Sequence, residues 1–212
     1  MKKSKKFSAT PIHQYALIMK EIKNRIKVID LFLHGPGHAI YPPTTIESIC
    51  LQFRKILELI AMASLVANKK QYVKLHRDFG KHWNAEYLLR DLGRVNSDFY
   101  PKPISETPSA ETGIKMHISD IEHDYLTKKD FIVVYKKCGG LLHADNPLGR
   151  QSNYEYFKRV FPEWRTKIMA LLNCHTVKIY GFDGYWLIHM KEDTDDEVHY
   201  YTFEPIGAPP KQ

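Results

Sequence analysis

The chain has 212 residues, a length that suits one domain with a small appendage or two small domains. With 43% hydrophobic and 26% charged residues it is not a disordered chain, and with three cysteines it is not a disulfide scaffold. Lys and Arg number 31 against 24 Asp and Glu, a formal charge of +7 that would attract a polyanion or simply keep the protein in solution.

The predicted elements run as follows. Residues 1–9 are a basic tail. Thr10 and Pro11 start a helix, an N-cap hydroxyl followed by Pro at the first helical position. Apolar residues at Ile12, Tyr15, Ile18, Met19, Ile22, Ile26 and Ile29 make one helical face up to Leu33. His34 to His38, with two glycines and a proline, ends it. A capping-box spacing from Thr44 to Glu47 opens a second helix to about Ala67. It is apolar on most of its surface after Ile56, which predicts the central helix. A short helix is predicted over Gln71 to Phe79 and another over Trp83 to Leu92, stopped by Gly93. Residues 101–113 hold Pro, Ser, Thr and Glu and read as a flexible loop.

Thr127 to Asp130 is a further cap, and a helix follows through Leu142. It carries Gly139 and Gly140, each costing about 1 kcal/mol against Ala inside a helix. Such a pair predicts a close approach by another backbone or a ligand. Ser152 to Tyr154 opens a last helix, in which Pro162 makes a kink or a new start. After Cys174 the period changes to two. Strands are predicted over 176–180, 185–190 and 198–203, with a tight turn at Asp183 and Gly184. The fold class is therefore mainly α: a bundle of about five helices with a small C-terminal antiparallel β-meander. The helical domain spans 10–173, the meander 174–205 packs on it as an appendage, and 206–212 is a tail.

No apolar run reaches the length of a membrane span, which argues against a membrane partner. Cys50, Cys138 and Cys174 are an odd number at no metal-ligand spacing. With no apolar segment after the basic start, they predict a reducing, cytoplasmic setting.

Two segments carry candidate chemistry. Arg77 is followed by His82 across Gly80. Later, Lys137 is followed by His143, and His143, Asp145, Asn146 and Arg150 crowd one helix end. The Arg–His pair resembles the motif of the HEPN superfamily. Those domains are small helical bundles, many of them metal-independent endoribonucleases of toxin and antiviral systems. The resemblance covers residues 10–173, and Lys137 with His143 is a degenerate form of the same motif on a better-placed helix.

The resemblance implies that a His moves the 2′-hydroxyl proton and that an Arg or Lys holds the scissile phosphate. A guanidinium grips two phosphate oxygens, whereas Lys acts as a point charge. An imidazole titrates near neutrality, as general acid–base work requires. His143 and His82 are the candidates for proton transfer, with Arg77 or Lys137 on the phosphate. Lys136, Lys137 and Arg150 are candidate RNA contacts. Arg54 and Glu58, spaced as an i,i+4 pair on the second helix, would support His143, as would Asn146. The implied partners are RNA and a second copy of the chain, since such sites usually form between two protomers; no metal or cofactor is implied.

Each set also has a plain structural reading. Arg77 and His82 become a surface Arg and a helix-start His, and His143 with Asn146 becomes an ordinary helix terminus. Arg54 and Glu58 become a helix-surface ion pair. The alternative function is then a non-catalytic module that binds a protein partner through the bundle surface or the meander. A third reading places His117, Asp120 and His123 on one helical face as ligands of a divalent metal. No P-loop, dinucleotide fingerprint or nucleophile elbow occurs, which disfavours nucleotide-dependent enzymes and serine hydrolases.

Overall fold

The computed structural model describes residues 10–75, 84–114, 116–149, 151–190 and 195–204. Both tails, Arg77, His82 and Arg150 lie outside the described residues. The described residues form five helices and five strands: α1 (Pro11–His34), α2 (Pro42–Leu75), α3 (Ala85–Val95), β1 (Lys102–Pro108), β2 (Met116–Asp120), α4 (Lys128–Leu141), α5 (Tyr154–Leu172), β3 (Cys174–Lys178), β4 (Tyr185–His189) and β5 (His199–Phe203). None of these helices is long and apolar enough to cross a membrane.

Two of the three expected caps form; α2 begins at Pro42, ahead of the capping box expected from Thr44 to Glu47, and the Thr44 hydroxyl donates instead to the Tyr41 carbonyl at 2.6 Å. The Thr10 hydroxyl accepts from His13 N at 3.4 Å with Pro11 at the first helical position. Thr127 and Asp130 make a reciprocal capping box at the start of α4. α2 is the central helix. It packs against α1, α3, α4, α5 and β3. It buries Phe53, Ile56, Leu57 and Ile60 completely. Phe53 meets Phe161 and Trp164 of α5 with ring centroids 5.5 and 5.8 Å apart.

Two local expectations are corrected. The short helix expected from Gln71 is, as far as Leu75, the end of α2. α3 runs through Gly93 to Val95, as the apolar stripe continues past the glycine. Of the two outcomes expected at Pro162, a kink or a new start, the second does not occur: Pro162 lies inside the single helix α5.

The largest correction concerns the sheet. Residues 102–108, expected as part of a flexible loop, form β1, so the sheet has five strands in the order β2-β1-β3-β4-β5, all antiparallel. The meander is thus part of a larger sheet. Pro103 and Pro108 disguise β1 in the sequence, since Pro cannot donate to a ladder. They are tolerated because β1 changes partners: Lys102 and Pro103 pair with β3, while Ile104 to Pro108 pair with β2.

Successive side chains alternate between the sheet's two faces. His175, Trp186 and Ile188 face the helices, where Tyr15 of α1 packs its ring against both His175 and Trp186. Cys174, Thr176, Tyr185, Leu187 and His189 face outward with Tyr201 and Phe203.

Two buried polar networks fix the sheet to the bundle. The ring Nδ1 of His175 lies 2.8 Å from the Leu172 carbonyl, which can only accept, so Nδ1 carries the proton. Its Nε2 then accepts from the Tyr15 hydroxyl at 2.9 Å. Burial holds His175 neutral, with its pKa lowered to about 4. In the second network, Asn96 donates to Asn68 Oδ1 and to the Lys178 carbonyl at 3.0 and 3.1 Å, joining α2, the end of α3 and β3.

Candidate nucleic-acid interface

α4 buries Phe131, Val134, Tyr135, Cys138 and Leu141 against α2 and the core. The other side of the helix carries Val133, Lys136, Lys137 and Gly140. These residues form one wall of a groove of about 580 Å³ whose other wall is Gln151 to Asn153 with Tyr156 and Phe157. Lys137 Nζ sits 5.1 Å from the centroid of the Tyr156 ring. Lys136 Nζ meets Glu86 of α3 at 3.0 Å. The groove-lining residues include two lysines, two amides and a tyrosine, and no carboxylate.

The second wall is brought into place by the loop after α4. Asp145 accepts from Ser152 N at 2.9 Å and from its hydroxyl at 2.6 Å. These bonds lower the Asp145 pKa below the usual carboxylate range. Asn146 Oδ1 accepts from Leu148 N at 3.0 Å, which turns the loop back. Asn153 then caps α5 by accepting from Tyr156 N at 3.0 Å. Asn146 therefore shapes the loop rather than supporting His143.

His143 is exposed just past the C-terminus of α4, its amide bonded to the Gly140 carbonyl at 3.4 Å. Arg54 and Glu58 form the expected i,i+4 pair on α2, but the pair is turned toward Tyr135 rather than His143. Arg54 donates to the Tyr135 hydroxyl at 2.8 Å, lies 4.2 Å over that ring, and meets Glu58 at 3.4 Å. It fills the space left by Gly139. The close approach expected at Gly139 and Gly140, by a backbone or a ligand, is found at Gly139 alone and is made by an arginine side chain. Among the described residues, neither Arg54 nor Glu58 bonds to His143. Tyr135 is the partner that sequence reasoning missed. Burial raises its pKa, while Arg54 works against that shift.

The helical metal site is overturned. Met116–Asp120 is a strand, so His117 and Asp120 fall on opposite faces of it. Their partners are Glu111 at 3.7 Å and Lys102 at 2.7 Å, while His123 meets Asp124 at 3.7 Å.

A second concavity of about 600 Å³ lies over the outer face of the sheet, lined by Lys102, Lys128, Lys178 and Tyr185. It also holds Asp98 and Asp120, and Asp120 neutralises Lys102. Lys136 is likewise paired, with Glu86, but the described lining of the α4–α5 groove holds no carboxylate and Lys137 faces only the Tyr156 ring there, which makes it the better place for an anion.

No family model matches the chain, and neither a curated protein nor a solved structure matches it.

Proposed function

We propose that this chain is a HEPN-like, RNA-directed protein that holds RNA in the α4–α5 groove and cleaves it without a metal where the strand leaves the groove, with His143, exposed past the end of α4 and outside the groove's lining, as the proton-transfer group. One observation carries the reading: a groove lined by Lys136, Lys137, Tyr156 and the amides of Gln151 and Asn153, without a carboxylate among its lining residues. Lysines on such a groove neutralise backbone phosphates and release counterions. Tyr156 offers a ring for a base, and the two amides offer donors and acceptors to base edges.

In the proposed reaction His143 takes the proton of a 2′-hydroxyl. The freed oxygen attacks the adjacent phosphorus, the bond to the 5′-oxygen breaks, and that oxygen receives the proton that His143 took, leaving a 2′,3′-cyclic phosphate. Lys137 supplies positive charge near the phosphate. A homodimer and a cytoplasmic location belong to the same proposal. The first rests on the resemblance to HEPN proteins, and the second on Cys50, Cys138 and Cys174 being free thiols.

The test is an RNA-cleavage time course in EDTA, with wild type beside His143→Ala and His82→Ala. Loss of cleavage in His143→Ala alone, with 2′,3′-cyclic phosphate ends from the wild type, supports the reading. Loss in His82→Ala alone moves the chemistry to Arg77 and His82. Binding without cleavage reduces the proposal to RNA binding.

A second reading has its own observation. β2 is an edge strand with every residue exposed, including Met116 and Ile118, and β5 at the other edge exposes Tyr201 and Phe203. Such edges suit pairing with a strand of a protein partner. Absence of RNA binding would favour it.

A further inference from the structure

Three adjacent strands converge on one point of the outer sheet face. Cys174 and His189 are directly opposed across β3 and β4, which puts both side chains on the same face. Glu106 reaches in from β1 on the other side of β3. Its Oε2 lies 3.1 Å from His189 Nε2 and 3.9 Å from Cys174 Sγ, and the three donor atoms all fall within 4.8 Å of one another. All three residues are half-buried. The His189 ring is held edge-on to Tyr201, with centroids 5.6 Å apart.

We infer that Glu106, Cys174 and His189 form a binding site for a divalent transition-metal ion of the zinc class. The inference is independent of the RNA reading and goes beyond it. The spacing carries it. A tetrahedral ion with a Zn–S bond of about 2.3 Å and Zn–N and Zn–O bonds of about 2.0–2.1 Å sets its ligand atoms roughly 3.4–3.6 Å apart. Two of the three separations, 3.1 and 3.9 Å, straddle that range, and the third, between Cys174 Sγ and His189 Nε2, is no more than 4.8 Å, so ion binding requires the side chains to draw together.

The donor set narrows the ion. A thiolate and an imidazole favour zinc, cobalt or another borderline ion over magnesium or calcium, which take oxygen. Three protein donors leave a fourth position for water or a substrate atom, as in catalytic rather than structural zinc sites. The donors also stand on β-strands paired within one sheet, a rigid support for a ligand set. In the metal-free protein Glu106 pairs with His189 and accepts a hydrogen bond from the Cys174 thiol, so all three side chains already converge on one carboxylate oxygen.

The experiment is a titration of the full-length, EDTA-stripped protein with cobalt(II), followed by displacement with zinc. The expected result is one equivalent of tightly bound cobalt with a thiolate-to-cobalt charge-transfer band in the near ultraviolet, which zinc abolishes. Cys174→Ser should remove that band. Glu106→Gln should weaken binding at least tenfold while keeping it, with folding of each variant checked by circular dichroism. The inference is overturned if Cys174→Ser keeps the band, which would place the sulfur at Cys50 or Cys138. It is equally overturned if the folded wild type gives no band at millimolar cobalt.

Discussion

Arg54 of α2 occupies the space that a side chain on Gly139 of α4 would need: a methyl group at position 139 would come within 2.5 Å of Arg54 Nη1. Nothing within 4 Å opposes the same addition at Gly140. The two adjacent glycines therefore have different reasons to be glycine. Gly140→Ala is expected to stabilise the protein by up to about 1 kcal/mol through helix propensity alone. Gly139→Ala gains the same propensity but must push Arg54 off Tyr135 and Glu58, a loss of about 1.5–3 kcal/mol for the charge-assisted hydrogen bond. Urea denaturation should place Gly139→Ala below Gly140→Ala by at least about 1 kcal/mol. Equal stabilities would mean that Arg54 gives way at no cost.

His175 predicts an acid-side loss of stability. Its folded pKa, about 4, lies below the ordinary histidine value of 6.5, so the unfolded chain binds the proton first as pH falls. Its contribution is complete above pH 6.5, declines from there to about pH 4, and is constant below. Between pH 6.5 and 5 the decline is about 2 kcal/mol. In His175→Gln the fall in unfolding free energy from pH 7 to pH 5 should shrink by about that amount. An unchanged pH profile would contradict the buried neutral imidazole.

Much of this architecture is legible locally. Thr10 with Pro11 and Thr127 with Asp130 announce α1 and α4, because a cap is written within four residues. The apolar surface after Ile56 announces the central helix. β1 is not legible, since its prolines and hydroxyls read as a loop until one knows that its two halves pair with different strands. Glu106, Cys174 and His189 depend on β1 and so stayed hidden. Lys136, Lys137 and His143 were visible as a basic helix end, but the opposing wall at Asn153 and Tyr156 depends on how the 142–153 loop folds back. Arg54 was legible as half of a pair with Glu58; its partner Tyr135, on another helix, was not.

The clasp between Asp145 and Ser152 should set the shape of the groove more than the stability of the fold. Both residues lie in a surface loop, and Asp145 gains its two hydrogen bonds from Ser152 alone. Asp145→Ala is expected to change stability little, since the carboxylate lies at the solvent-exposed surface. The substitution should raise amide hydrogen exchange across residues 146–152 and weaken RNA binding several-fold. Exchange confined to the wild-type rate would show that the clasp is dispensable.

In the EDTA-stripped, metal-free protein Cys174 should be a slow thiol. Burial, reinforced by the nearby Glu106 carboxylate, pushes its pKa up to about 12, so little thiolate exists at neutral pH. Alkylation by iodoacetamide at pH 8 should be far slower than that of an exposed cysteine, and faster in Glu106→Gln than in wild type. A fast reaction in the native wild type would contradict that environment.

The most direct test of the RNA proposal is the salt dependence of binding. Fluorescence anisotropy of a labelled single-stranded RNA would be measured over a range of KCl concentrations for three proteins: the wild type, Lys136→Ala with Lys137→Ala, and Lys27→Ala as a control outside the groove. For single strands each phosphate contact contributes about 0.7 to the slope of log K against log salt. The double variant should lose about 1.4 of that slope together with much of its affinity, while Lys27→Ala keeps both. Equal slopes for the double variant and the wild type would place any RNA elsewhere on the protein, and absence of binding in all three would contradict an RNA-directed function.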